Sequence, residues 1–202
     1  CIVLYGPENA NYASYGIQII TDDTVETVTL GDNNDFTTSM NSYNNAIETL
    51  NTRAEEGYLN TDYASDARSV GSVPNNKNSQ SGYFTSSYSY MSSYSGKLRD
   101  TDTNYEADWN QMGTLGIRVS NNAYWLASRY VNSNSSNRYF SVRTGNSDGS
   151  LNYNYRLCYA DSFGGTNSYS TTGGLRPCFT LKSGIKVTGG SGTESSPYTL
   201  GT

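Results

Sequence analysis

The sequence predicts an α+β fold in which twisted antiparallel sheets carry one or two flanking helices. Three features predict it. Tyrosine is abundant, at 19 of 202 residues, in a chain whose hydrophobic content is only 35%; an ordered, polar-surfaced β-rich protein accommodates that balance, whereas a disordered chain is poor in aromatics. Only one long segment, residues 36–59, carries a helical apolar stripe. Elsewhere, short β-branched or aromatic runs alternate with turn-forming Gly, Asn, Asp and Ser.

Length and charge narrow the possibilities. The 202 residues suit one domain, 1–202, read as an N-terminal scaffold half (1–120), a display half (121–184) and a C-terminal strand and tail (185–202). A net charge of −5 argues against a nucleic-acid partner, whose phosphates call for basic patches. No run of roughly 18 apolar residues offers a membrane span. Histidine is absent, which removes the commonest general base and every Ser-His or Cys-His nucleophile pair. The chain begins at Cys1 rather than Met, as a processed form or a fragment does.

In chain order, Ile2–Tyr5 reads as a first strand stopped by Gly6-Pro7. Residues 15–30 read as a β-hairpin turning at Asp22-Asp23. From Phe36 to Leu59 the spacing of Met40, Tyr43, Ile47, Leu50 and Ala54 predicts a helix with one buried face, capped by Thr37, Thr38 or Ser39 and stopped at Gly57. Residues 63–68 read as a second short helix, 75–82 as a loop, and the Tyr/Ser-rich 83–94 as either a strand or a loop. At 99–108, oxygen-bearing side chains alternate, making Asp100, Asp102 and Asn104 weak candidates for calcium ligands. Tyr105 and Gln111 stand where a calcium-binding EF-hand loop needs Gly and Glu, so a solvated loop remains the other reading.

The chain is organised around residues 124–181. An aromatic motif, Tyr124-Trp125-Leu126-Ala127-Ser128-Arg129, opens this stretch, and Gly174-Leu175-Arg176-Pro177-Cys178-Phe179 closes it. Between them, Phe140 and Val142 alternate with Ser141 and Arg143, and Tyr153, Tyr155 and Leu157 with Asn152, Asn154 and Arg156. Period-two alternation predicts strands with one buried and one displayed face, joined by turns at Gly145, Gly149, Gly164 and Gly165. A face rich in Tyr, Ser, Asn and Gly shares the chemistry of antibody loops, with rigid aromatic contact area and adaptable hydrogen bonds. Cys158 and Cys178 form the natural disulfide pair of the three cysteines; two buried free thiols are the other reading. The tail, 185–200, reads as a strand, a Gly turn and a closing Pro197-Tyr198-Thr199-Leu200.

From Tyr130 to Gly174 there is no Lys, Glu, Gln, Met or Trp, although these types supply 19 of the 202 residues; about four would be expected in such a window. With the 124–129 and 174–177 motifs, this gap resembles the C-terminal half of bacterial C-type-lectin-fold proteins. That group includes formylglycine-generating-enzyme-like domains and the variable proteins of diversity-generating retroelements. In the latter, adenine-directed mutagenesis of AAC-type codons yields none of the five missing types.

The resemblance implies a C-type lectin-like fold that holds its backbone while exposed side chains change. Scaffold positions would be Trp125, Leu126, Phe140, Val142, Leu157, Leu175, Arg176 and Pro177. Displayed, ligand-binding positions would be Tyr130, Asn132, Asn134, Asn137, Ser141, Arg143, Asn146, Asn152, Asn154, Arg156, Asp161, Asn167 and Ser168.

The expected function is therefore a receptor- or adhesin-type binding protein, extracellular or on the cell surface. Its ligand would be a protein or glycan on another cell, a phage or a host. No catalytic residue and no cofactor is expected: the oxidase chemistry of the related enzymes needs a closely spaced cysteine pair, and Cys158 and Cys178 are far apart. A pilin or cell-wall subunit without a diversified site is the alternative.

Overall fold

The structure, a computed structural model, describes residues 2–5, 18–59, 62–71, 94–98, 113, 118, 120–193 and 195–202. Expectations for 75–82, 83–93 and 99–108, including Asp100, Asp102 and Asn104, lie outside the described residues, as does most of 109–119. The described elements are β1 (Ile2–Tyr5), β2 (Gln18–Ile20), β3 (Glu26–Gly31), α1 (Phe36–Asn44), α2 (Ala46–Tyr58), β4 (Ala64–Ser69) and β5 (Tyr94–Leu98). They continue with β6 (Tyr124–Ser133), β7 (Asn137–Gly145), β8 (Leu151–Asp161), β9 (Thr166–Ser168), β10 (Ser170–Leu175), β11 (Pro177–Leu181), β12 (Lys186–Gly189) and β13 (Thr199–Gly201). The class is α+β: mostly sheet, with the helices α1 and α2 among the described elements.

Two larger sheets share the chain. One has four strands in the order β1-β2-β11-β4. The other has seven, running β3-β10-β6-β7-β8-β9 with β5 on β6. All their pairings are antiparallel except the short β10–β6 contact at Gly174 and Tyr124. The hairpin β12–β13 forms a third, two-stranded sheet, as the tail pattern suggested.

The expected hairpin over 15–30 is not formed. Its two strands exist, but β2 joins the four-stranded sheet and β3 the seven-stranded one. Both pair instead with the continuous run β10–β11, which crosses between the sheets at Arg176. A tight two-residue hairpin turn calls for positive φ, and no described non-glycine residue has it; Asp22-Asp23 instead bridges the gap between sheets.

The predicted helix is two. Asn45 (φ −96°, ψ 6°) separates α1 from α2, at an Asn-Asn pair whose side chains compete for backbone hydrogen bonds. The whole apolar stripe is buried as predicted: Met40, Tyr43, Ile47, Leu50 and Ala54. The N-cap is Asp35, whose carboxylate accepts from the Thr37 amide at 2.8 Å, rather than Thr37, Thr38 or Ser39. Gly57 does not stop α2, which runs to Tyr58. The break lets each helix find its own partner. Tyr43 of α1 meets Phe140 edge-on at 5.3 Å, and Asn51 of α2 accepts the Ser69 amide of β4 at 2.9 Å.

Residues 64–69 form strand β4, not the short helix expected there. Antiparallel pairing with β11 along its length overrides a weak local helical preference. The core joins α1 and α2 to β3, β6, β7 and β8 through Val28, Leu30, Trp125, Val131, Phe140, Val142, Leu157 and Leu175. Trp125 also donates its Nε1–H to the Val28 carbonyl at 2.8 Å, so its one polar atom is satisfied inside the core.

Candidate ligand face and its buried arginine frame

Strands β6, β7 and β8 form the centre of the larger sheet, with the helices over one face. Every scaffold position named from the sequence is buried: Trp125, Leu126, Phe140, Val142, Leu157, Leu175, Arg176 and Pro177. The arginines in the two flanking motifs belong to this frame. Arg129 donates to the Asn44 carbonyl at 3.3 Å, taking up a backbone acceptor freed where α1 ends. Its guanidinium also lies 5.5 Å from the Tyr43 ring centre. Arg176 donates to the Thr21 and Asp22 carbonyls at 2.8 and 3.2 Å.

Two expected display positions are corrected. Ser141 and Arg143 are buried, at 2% and 0% exposure. Alternation in β7 holds, with Phe140 and Val142 in the core and Ser141 paired to Tyr130 in regular register, so the two are buried by what covers their face. Beside Arg143, the pairing of β6 with β7 shifts register between Trp125 and Arg129, where the Ala127 amide turns instead to the Val70 carbonyl at 2.8 Å. Arg143 fills the distorted site, donating to Ser128 Oγ at 2.8 Å and to the Arg129 carbonyl. The Tyr130 and Tyr153 rings close over it at 5.0 and 5.6 Å. The Arg143 side chain is therefore part of the frame.

The alternation expected in β8 also breaks. The β7–β8 register shifts twice, between Phe140 and Ser141 and between Val142 and Thr144. An extra residue in a strand turns its neighbours to the other face. Tyr153 accordingly packs on Tyr130 and Arg143, while Tyr155 packs edge-on against Trp125 at 5.6 Å. Leu157 and Cys158, consecutive in sequence, are both buried.

The remaining display positions divide by role. Asn132, Arg156 and Asn167 are exposed on β6, β8 and β9. Tyr130, Asn137, Asn152 and Ser168 are half-buried on strands. Three others shape turns. Asn134 accepts the Ser136 and Asn137 amides, both at 2.8 Å. Asn146 donates from its side chain to Ser150 Oγ at 2.9 Å. Asp161 accepts the Phe163 and Gly165 amides at 2.8 and 2.7 Å, closing the β8–β9 turn with Gly164 at φ 88°. Asn154 lies in β8, and its side chain is outside the described residues.

Sequence reasoning missed an aromatic strip beside these positions. Arg156 stacks its guanidinium 4.4 Å from the Tyr139 ring centre. Tyr139 packs on Tyr159 at 5.7 Å, and Tyr159 on Tyr169 at 6.5 Å. The Tyr159 hydroxyl accepts from Asn167 Nδ2 at 2.6 Å. Tyr130 was the one tyrosine among the expected displayed positions, and these three were passed over, although Tyr139 sits two residues from Ser141 in the same alternation. At the turn beyond the strip, Phe163 is 95% exposed.

The two described cysteines are free and buried, and they lie in different sheets, Cys158 in β8 and Cys178 in β11. Of the two readings of the pair, a disulfide or two buried free thiols, the structure has the second. Burial pushes the Cys158 thiol up to about 12 and the Cys178 thiol upward as well, which keeps both protonated and inert. Among the described residues, no group of three or more Cys, Asp or Glu could hold a metal ion.

The chain matches no protein-family model, no curated protein and no solved structure.

Proposed function

We propose that this chain is a surface-displayed binding protein of C-type-lectin-like fold, resembling the variable proteins of diversity-generating retroelements. In this reading its ligand, a protein or glycan on another cell, a phage or a host, contacts the outer face of β6–β9. One observation carries the reading: side chains that hold the backbone are separated from those that meet solvent. Arg129, Arg143 and Arg176 hold main-chain carbonyls from within, while Asn132, Arg156 and Asn167 project outward beside the tyrosine strip. Outer side chains can then change without disturbing the main chain.

The test is a panel of variants replaced together at Asn132, Arg156, Asn167 and Ser168, screened against bacterial, phage and host-surface ligands. The proposal expects ligand preference to move while the melting temperature stays fixed; unchanged preference refutes it. A reverse transcriptase gene and an imperfect repeat of the 124–178 coding region nearby in the genome would support diversification of this face.

A further inference from the structure

A groove of about 560 Å³ opens beside the aromatic strip, lined by Tyr155, Arg156, Tyr169, Ser170 and Thr171. Residues 169–171 run beside β8 there: Tyr169 donates its amide to the Leu157 carbonyl at 2.8 Å, next to the Cys158–Ser168 pair of β8 and β9, and Thr171 Oγ1 donates to the Arg156 carbonyl at 3.3 Å. Resting on the binding-face reading above, we propose that this groove and the adjoining strip, Arg156–Tyr139–Tyr159–Tyr169, bind a carboxylate-bearing sugar of a uronic or sialic acid type.

Three features of the site select that chemistry. First, Arg156 is exposed and has no carboxylate partner among the described residues, where the ion pairs are made by Arg53 and Arg68. Stacking on Tyr139 fixes the plane of its guanidinium and leaves N–H edges for a bidentate carboxylate. In a chain of net charge −5, such a cation attracts an anion locally without the extended basic field that a polyphosphate requires.

Second, the tyrosine rings are stepped at 5.7 and 6.5 Å across neighbouring strands. They give a row of aromatic surface beside the groove; the C–H face of a pyranose packs on an aromatic ring while its hydroxyls point sideways. Third, the rim is built of neutral hydrogen-bonding groups, Asn167, Ser170 and Thr171, which suit hydroxyls. Apolar floor with a few placed polar groups is the usual make-up of a small-ligand site, and rigid tyrosines lose little entropy on binding.

The experiment is titration calorimetry of the full chain with an oligogalacturonate and with sialyllactose, each beside the same sugar with its carboxylate reduced to an alcohol. At least one acidic sugar should bind, at least tenfold more tightly than its reduced form, and the one that binds tells a uronic from a sialic source. Arg156→Gln should remove that tenfold preference without lowering the melting temperature, and Arg156→Lys should restore part of it. Tyr159→Ala should weaken acidic and reduced sugars alike. Equal binding of acidic and reduced sugars, no binding of either acid, or an unaltered preference in Arg156→Gln would overturn the proposal. Those results would leave the binding-face reading standing if wholesale replacement of the outer side chains still changes preference for a protein ligand; that reading falls only when the replacement changes nothing.

Discussion

Arg176 Nε donates to the Thr21 carbonyl at 2.8 Å, at the point where the two larger sheets part. On either side, the Thr21 amide bonds to the Pro177 carbonyl at 3.1 Å and the Val25 amide to the Leu175 carbonyl at 2.9 Å. Between those two bonds the chain 22–24 leaves one sheet for the other, and Arg176 takes up the carbonyls exposed there. The Tyr124 ring lies 5.0 Å from the same guanidinium.

Arg176→Met should therefore destabilise the fold by about 3 kcal/mol, because buried carbonyls lose a charged donor. Arg176→Lys should recover little, since an ammonium cannot reproduce the planar fork. Urea unfolding midpoints measure both.

Arg143 and Asn132 make a contrasting pair from within one set of expected display positions. Arg143→Ala empties a buried site and removes a charged donor from the Arg129 carbonyl and Ser128 hydroxyl, at a cost of about 3 kcal/mol. Asn132→Ala, at an exposed side chain of β6, should change stability by no more than about 0.5 kcal/mol. Thermal melts of the two variants would separate frame from face.

Asp23 gives the fold an acid dependence. Hydrogen bonds from the Ser120 hydroxyl, the Thr24 amide and the Asn121 side chain lower its pKa to about 2. A carboxyl depressed on folding contributes stability above its unfolded pKa of about 3.9 and loses it as pH falls through the folded value. Between pH 4 and pH 2 the protein should lose more stability than Asp23→Asn, and above pH 5 the variant should be the less stable. The effect is small because the group is largely solvated. Melting temperatures across this range decide it; parallel curves would count against the three bonds.

The buried thiols predict chemical silence. In a Cys1→Ser chain, neither Cys158 nor Cys178 should react with a thiol reagent at pH 8 until the protein unfolds, when both should. Reductant should leave the melting temperature unchanged; a fall would reveal a disulfide.

Local pattern was most informative where one element alone sets the outcome. The stripe Met40, Tyr43, Ile47, Leu50 and Ala54 followed from spacing, as did the existence of the strands that contain Phe140–Arg143 and Asn152–Leu157, though not the strand over Tyr124–Ser133. The break at Asn45 was not marked by that stripe, because an apolar face passes through a kink unchanged. Of the candidate face, Arg156 was legible as a polar strand position, whereas Asn132 and Asn167 were expected only from the resemblance. The strip Tyr139–Tyr159–Tyr169 was not, because a tyrosine in an alternating strand can belong to either face.

By itself the sequence determined which segments are apolar, which residues turn the chain and which motifs frame the central strands. Tertiary structure alone decided that β2 and β3 part into different sheets, that 64–69 extends against β11, that Arg143 is covered by Tyr130 and Tyr153, and that Leu157 and Cys158 are both buried. The physical reason is shared. Alternation says that a strand has two faces but not what covers each, and a register shift exchanges them within one residue. Pairing partners lie far along the chain, as Thr21 and Arg176 do, so their choice rests on contacts that no local window contains.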